Sequence, residues 1–162
     1  MNDSPTQPIE ILLVEDSASD AKLTLKAFRE TTRDRNVRIV ADGVEAIAFL
    51  RRQGDYNECP RPQLILLDLN LPKKNGLEVL AEIKADPDLR SIPVIVLTTS
   101  EDERDIFTSY QLQANCYIRK PFHLQQLRNM VNLIDKFWLD LVKLPPTDIH
   151  LFTVESRSDI AD

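Results

Sequence analysis

Short apolar runs alternate with longer segments of helical periodicity along most of the chain. The runs Ile9–Val14, Leu64–Leu67 and 94–97 contain almost no polar residues, as expected of strands that are buried on both faces of a parallel sheet. Residues 37–40 and Cys116–Arg119 are shorter candidates for the same sheet. A helical pattern follows each run, so the sequence predicts five strands that alternate with five helices.

This alternation is typical of βαβ units with right-handed crossovers. We predict a flavodoxin-like, doubly wound α/β fold with five parallel strands in the order 2-1-3-4-5. Ser17 is expected to cap the first helix, and the last helix is expected to run from about His123 to Leu144. Residues 1–8 and 145–162 lack this patterning, so we expect an N-terminal tail, one domain over residues 9–144 and a C-terminal tail.

Charged residues stand at the carboxyl ends of three predicted strands. Glu15 and Asp16 follow the first strand, Asp68 follows the third, and Lys120 follows the fifth, directly before Pro121. Ligands bind at this edge of an open α/β sheet. The predicted order makes strands one and three neighbours, so the three carboxylates should share one crevice. Two carboxylates ~4 Å apart repel by about 4 kcal/mol at an effective dielectric of ~20, and we therefore expect a bound cation.

The donor set decides which cation to expect. Mg²⁺ suits carboxylate and carbonyl oxygens, whereas Ca²⁺ is disfavoured because no loop has the dense oxygen spacing of a calcium hand. Thr98 ends the fourth strand, where its hydroxyl can donate to an anion, although threonine is also a common strand former. Tyr117, three residues before Lys120, is either a half-buried core aromatic or a side chain that changes rotamer.

Composition excludes several classes of protein. A chain of 162 residues suits one domain, and 26 acidic against 20 basic residues, a net charge of −6, argue against a nucleic-acid surface. No apolar run is long enough to span a membrane. The two cysteines, Cys59 and Cys116, form neither a metal motif nor a disulfide framework, which favours a reduced, cytoplasmic location.

Five segments together resemble the receiver domain of response regulators in two-component signalling: residues 14–16, 66–72, 75–76, 98–100 and 120–121. They occur in the family order and roughly the family spacing, over about residues 9–142, and the family fold is CheY-like. The resemblance implies that Asp68 accepts a phosphoryl group from the phosphohistidine of a sensor histidine kinase. It also implies that the protein catalyses only its own phosphorylation and dephosphorylation.

The same resemblance implies a role for each remaining residue of the crevice. Mg²⁺ would be held by Glu15, Asp16, Asp68 and the backbone carbonyl of Asn70. Lys120 would contact the phosphoryl oxygens and Thr98 would hydrogen-bond to them, while Tyr117 would transmit the change to a distant face as a switch residue. Receivers more often carry two aspartates at the acidic pair, but glutamate followed by aspartate is common.

The last predicted helix is unusually apolar. A stripe that we assign to the core comprises Leu124, Leu127, Val131 and Ile134. A second apolar region near the helix end includes Phe137, Trp138 and Leu141. It either packs on the tail of the chain or forms the interface of a symmetric dimer, which we favour. Residues 66–74, 115–117 and 137–139 together resemble the small stand-alone regulators that partner bacterial phytochromes, especially in cyanobacteria. This resemblance implies a homodimer and a phytochrome-type kinase.

Three other functions are weighed against the residues. A phosphatase with an aspartate nucleophile needs a second carboxylate two residues later as general acid, where Asn70 stands. A flavin or dinucleotide carrier needs a glycine- or hydroxyl-rich first turn, where the chain reads Glu15-Asp16-Ser17. A receiver-like scaffold that is never phosphorylated would not need the complete set of acceptor, acidic pair, hydroxyl and lysine.

Overall fold

The computed structural model describes residues 7–31 and 34–148. Its sheet has five parallel strands in the order β2-β1-β3-β4-β5, so the predicted fold class and strand order are confirmed. The strands are β1 (Ile9–Val14), β2 (Arg35–Val40), β3 (Leu64–Leu67), β4 (Val94–Thr98) and β5 (Cys116–Arg119). Most of each predicted tail, residues 1–6 and 149–162, lies outside the described residues.

Helices cover both faces of the sheet. On one face lie α1 (Ala18–Arg29) and α5 (Leu124–Ile134), and on the other α2 (Gly43–Leu50) and α3 (Gly76–Ala85), with α4 (Glu103–Gln111) beside α3. Successive side chains of a strand point to opposite faces, so the central strands β1, β3 and β4 contribute to both cores. This two-sided burial explains their continuous apolar sequences. None of the described helices is long and apolar enough to cross a bilayer.

Side-chain caps begin four of the helices at the edge of the sheet where the strands end. In each case the side chain of the residue before the helix accepts a hydrogen bond from a backbone amide in the first turn. The capping residues of α1 to α4 are, in order, Ser17, Asp42, Asn75 and Asp102. Such caps satisfy amide groups that have no partner within the helix. The predicted cap at Ser17 is therefore confirmed, and only residues 15–17 connect β1 to α1.

One apolar position differs from the expected core. The sequence pattern places Leu124 in the core stripe of the last helix, but Leu124 is exposed: it is the first residue of α5, and the buried stripe begins one turn later, at Leu127. Leu127, Val131 and Ile134 are buried as predicted, and Met130 completes their stripe.

The last helix also differs from the single helix expected over residues 123–144. Regular α-helix ends at Ile134, and Asp135–Leu141 continue it as a π-helix. An uninterrupted α-helix would bring residues four and seven after Ile134 onto its buried face, namely Trp138 and Leu141. The wider π turn instead buries Leu139 and leaves Leu141 72% exposed.

Candidate functional site

The ends of β1, β3 and β5 bring the predicted charged residues together. Val14 lies opposite Leu67 in the β1–β3 pair, so the residues that follow these two strands are neighbours. The Asp68 amide donates to the Val14 carbonyl at 3.1 Å. Glu15, Asp68 and Lys120 are buried, whereas the Asp16 side chain is exposed.

Lys120 is the central cation of this group. Its Nζ donates to Glu15 Oε1 at 2.8 Å and to Asp68 Oδ2 at 3.3 Å. Its backbone amide donates to the Thr98 carbonyl at 2.7 Å, which fastens the end of β5 to β4. An isolated lysine normally extends into solvent, but this one is held inside the crevice by opposite charge.

The pKa values of the three buried groups reflect their mutual contact. Burial, followed by the adjacent Asp68 carboxylate, raises the pKa of Glu15 to about 8. Burial also opposes ionisation of Asp68, yet the adjacent Glu15 carboxyl group and the charge of Lys120 hold the pKa of Asp68 below its usual value. For Lys120, burial favours the neutral amine, but its carboxylate partners together raise the pKa. The contact with Lys120 therefore favours the ionised form of Asp68.

A divalent cation fits the acidic cluster by donor chemistry. One carboxylate oxygen from each of Glu15, Asp16 and Asp68 lies within 4.8 Å of the others, and hard divalent ions prefer such oxygen ligands. The buried Oε2 of Glu15 has no hydrogen-bond partner among residues 7–31 and 34–148, which leaves it available as a ligand. The Asn70 amide donates to Asp68 Oδ1 at 3.1 Å, so the loop that follows the aspartate orients its carboxylate.

Gly76 allows this loop to fold back closely behind Asp68. A Cβ atom at residue 76 would lie 2.3 Å from the Asp68 carbonyl oxygen and 2.5 Å from Leu69 Cα. The Gly76 amide also donates to the Leu69 carbonyl at 2.9 Å. The glycine is therefore required by the close approach of two backbone segments, and it fixes the start of α3 beside the site.

Thr98 and Tyr117 are linked through the loop after β4. The hydroxyl of the fully buried Thr98 accepts a hydrogen bond from the Ser100 amide at 3.4 Å. The Tyr117 hydroxyl donates to the Ser100 carbonyl at 3.0 Å, and the Tyr117 ring is half-buried against the core. Both predicted switch residues therefore contact the same residue of one loop, and their switching roles stay predictions.

Asp20 is a site residue that the sequence reasoning missed. It lies in the first turn of α1, and its Oδ2 is 3.5 Å from Lys120 Nζ. The available signal was the spacing of a capping serine, Ser17, and an acidic residue three positions later. That pattern alone indicates only a helix start, and it does not indicate a contact with the end of β5.

The predicted dimer residues lie away from this crevice, on the π-helix. Leu141 and Phe137 are exposed and Trp138 is half-buried, with the two aromatic rings in an edge-to-face arrangement 5.5 Å apart. A groove of about 520 Å³ runs between β5 and α5, and its apolar lining includes Cys116, Ile118, Met130, Leu133, Phe137 and Trp138.

Comparison with known proteins identifies relatives of the whole described fold. The family model described as "Response regulator receiver domain" matches residues 11–132. The chain is 53% identical over 145 residues to "Response regulator Rcp1" of Synechocystis sp., a match that covers 90% of this chain and 99% of that protein.

Two solved structures have the same architecture. The crystal structure of the phosphorylated cyanobacterial phytochrome response regulator RcpA is 52% identical with a TM-score of 0.84, and the match covers 86% of this chain and 100% of that chain. The crystal structure of the Mn²⁺-bound form of Rcp1 is 54% identical with a TM-score of 0.82, at the same coverage.

Proposed function

The chain belongs to the response regulator receiver domain family, and on this basis we propose that Asp68 is the carboxylate that accepts the phosphoryl group from a histidine kinase. The observation that carries the proposal is the contact of a buried lysine, Lys120, with Asp68 at 3.3 Å beside two further carboxylates. We propose that the receiver unit extends over residues 9–144.

The proposed reaction is an in-line transfer. One carboxylate oxygen of Asp68 forms the new O–P bond, the P–N bond of the phosphohistidine breaks, and its electron pair leaves with the imidazole. Such transfers depend mainly on positioning and on compensation of charge. The lowered pKa of Asp68 keeps the nucleophile ionised. Lys120 already lies beside Asp68 and would neutralise part of the charge of the arriving phosphoryl oxygens.

We propose Mg²⁺ as the resident cation, held by Glu15, Asp16, Asp68 and the Asn70 carbonyl. When bound, it would supply positive charge to the phosphoryl oxygens. The oxygen-only cluster within 4.8 Å supports this choice, and the related Rcp1 binds Mn²⁺, another hard divalent ion. The side chain two residues after Asp68 is Asn70, an amide with no acidic proton to donate, so the chain would catalyse its own phosphorylation and dephosphorylation only.

The proposed signal passes from Thr98 to Tyr117. A phosphoryl oxygen at Asp68 would attract the Thr98 hydroxyl, which now accepts a bond from the Ser100 amide. Movement of this loop would shift the Ser100 carbonyl and so alter its hydrogen bond with the Tyr117 hydroxyl. To convert a 1:99 equilibrium into 99:1, phosphorylation must favour the active state by about 5.5 kcal/mol.

We propose a phytochrome-type histidine kinase as the phosphoryl donor. This proposal is supported by the similarity of the chain to RcpA, a cyanobacterial phytochrome response regulator. Phosphohistidine is made from ATP in the cytoplasm, so we propose that the protein works there.

Phosphoryl labelling tests the proposed function directly. Incubation with acetyl phosphate and Mg²⁺, or with a phosphorylated phytochrome-type histidine kinase, is expected to add one phosphoryl group per chain, whereas unrelated histidine kinases should transfer it much more slowly. The product should be a hydroxylamine-labile acyl phosphate that borohydride trapping and mass spectrometry locate at Asp68. Chelation of divalent cations should suppress it. Multiple turnover of a simple phosphate ester would instead favour the phosphatase alternative.

We also propose that the protein forms a homodimer through the exposed side of the last helix. Leu133, Phe137 and Leu141 are all exposed and succeed one another at intervals of four residues, so they form one apolar stripe. Exposed apolar patches commonly mark protein contacts. A second copy of the chain presents the same stripe, so two copies related by a two-fold axis can cover each other's apolar residues.

Leu141→Glu is expected to convert the dimer into a monomer, because it places a charge within the proposed apolar interface, at its most exposed residue. Sedimentation equilibrium should give about twice the 18.6 kDa chain mass for the wild type and a single chain mass for the variant. Val44→Glu is a matched control, since Val44 is also an exposed helical residue but lies on α2. A wild type that stays monomeric at micromolar concentration, with or without Mg²⁺ and beryllofluoride, would contradict this interface.

A further inference from the structure

Lys120 contacts a third carboxylate that stands outside the cation cluster. The oxygens that gather within 4.8 Å come from Glu15, Asp16 and Asp68, whereas the Asp20 carboxylate lies outside that group and accepts a hydrogen bond from Lys120 Nζ at 3.5 Å. Among the described residues, the ammonium group of Lys120 has three carboxylate partners. Glu15 and Asp68 have a second role, because Glu15 belongs to the cluster and Asp68 is the proposed phosphoryl acceptor, whereas Asp20 lies outside the cluster.

The first turn of α1 holds Asp20 in place. Its backbone amide donates to Ser17 Oγ at 3.3 Å, and the neighbouring side chains of Ala21 and Thr24 are buried against the body of the domain. Helix α1 packs against α5, which begins just after Lys120. The carboxylate is thus presented to the lysine from a fixed helix turn, and a bound ligand in the crevice does not need to displace it.

We propose that Asp20 is a positioning residue that keeps the ammonium group of Lys120 over the crevice. Asp20 would hold the lysine when Glu15 turns to the cation and Asp68 receives the phosphoryl group, because both carboxylates then lose part of their contact with Lys120. This inference rests on the proposed phosphorylation of Asp68. Asp20 acts through the lysine and touches neither the cation nor the reacting oxygen.

The expected effect of its loss is moderate, because the Asp20 side chain is 43% exposed and an exposed ion pair is screened by water. Asp20→Asn should lower the rate of phosphorylation at saturating acetyl phosphate by about three- to fivefold. The affinity for donor and for Mg²⁺ should change by less than about twofold, since Asp20 is a ligand of neither. Simple relief of repulsion against the anionic donor would act in the opposite direction and speed the reaction.

The experiment compares wild type, Asp20→Asn, Asp20→Glu and Glu78→Gln over a range of donor and Mg²⁺ concentrations. Asp20→Glu retains the charge and should restore at least half of the lost rate. Glu78 is a matched control because it is also the acidic residue three positions after a helix cap, in α3, and it lies on a different face of the sheet. Its replacement should leave the rate unchanged.

The outcomes separate this inference from the proposed function. No labelling of the wild type would reject the function of Asp68 itself. Normal labelling of the wild type with an unchanged or faster Asp20→Asn variant would overturn the positioning role. So would a slower Asp20→Asn variant that Asp20→Glu does not rescue, or one whose loss lies in Mg²⁺ affinity, because either result would indicate general disturbance of α1 or of the cation site.

Discussion

Asp68→Asn is expected to reduce phosphoryl labelling to background, by at least about a thousandfold, because an amide oxygen is a poor nucleophile and no other group occupies the same position. The fold should persist, since Asp68 is tied to β1 by its backbone amide and the amide side chain has the same shape. The measurement is the initial rate of labelling by acetyl phosphate with Mg²⁺, read on a phosphate-affinity gel.

Asp68→Glu separates the nucleophile from the charge that attracts the cation. The variant keeps a carboxylate in the cluster but moves it by one methylene, and a misplacement of about 1 Å can cost on the order of a hundredfold in rate. Divalent-cation affinity should therefore fall much less in Asp68→Glu than in Asp68→Asn, while both label poorly. Full labelling of Asp68→Asn would place the acceptor elsewhere and end the assignment.

The part of the site that follows strand ends could be predicted from the sequence. A residue at the end of a buried parallel strand is fixed by the ladder, so Glu15 and Asp68 had to meet once β1 and β3 were neighbours. Asp68 lies beside Asp16 with room for a cation between their oxygens. The strand order followed from the general topology of doubly wound sheets.

Contacts that depend on helix placement could not be predicted in the same way. The approach of Asp20 to Lys120 depends on how α1 lies against the start of α5, and periodicity describes a helix face but not its neighbours. The exposure of Leu124 has a similar cause, because an apolar residue in the first turn of a helix can project past the end of the sheet.

The π-helix could not be predicted from the sequence for another reason. A pattern of apolar residues near Phe137, Trp138 and Leu141 fits an α-helix well, so nothing in the spacing indicates a wider turn. In the structure the first π-helical residue, Asp135, is buried and forms an ion pair with Arg35. The ion pair between Arg35 and Asp135 therefore lies at the point where the α-helix becomes a π-helix. After this point the residues face different directions than in a continued α-helix, and Leu141 is exposed.

Asp135→Ala is expected to lower the free energy of unfolding by about 3 kcal/mol, because it removes the buried carboxylate that is paired with the Arg35 guanidinium. The Arg35 side chain is only 2% exposed, so water has little access to it, and its hydrogen bond from Nε to Thr31 Oγ1 does not supply the lost negative charge. Urea denaturation followed by circular dichroism should show a lower midpoint with a similar slope. Glu30→Ala is the matched control: Glu30 pairs with Arg128 between α1 and α5 at 3.2 Å, but both side chains are partly exposed, and the expected loss is below about 1 kcal/mol.

The double variant Arg35→Met/Asp135→Leu tests whether the loss comes from an uncompensated charge. Replacement of a buried ion pair by apolar groups of similar volume is often neutral or stabilising, so the double variant should recover most of the stability that Asp135→Ala loses. If the ion pair also selects the π turn, the recovered protein should bury Leu141 in place of Leu139 and shift the emission of Trp138, the single tryptophan. A double variant as unstable as Asp135→Ala would show that packing around residue 135, and not charge, holds the end of the last helix.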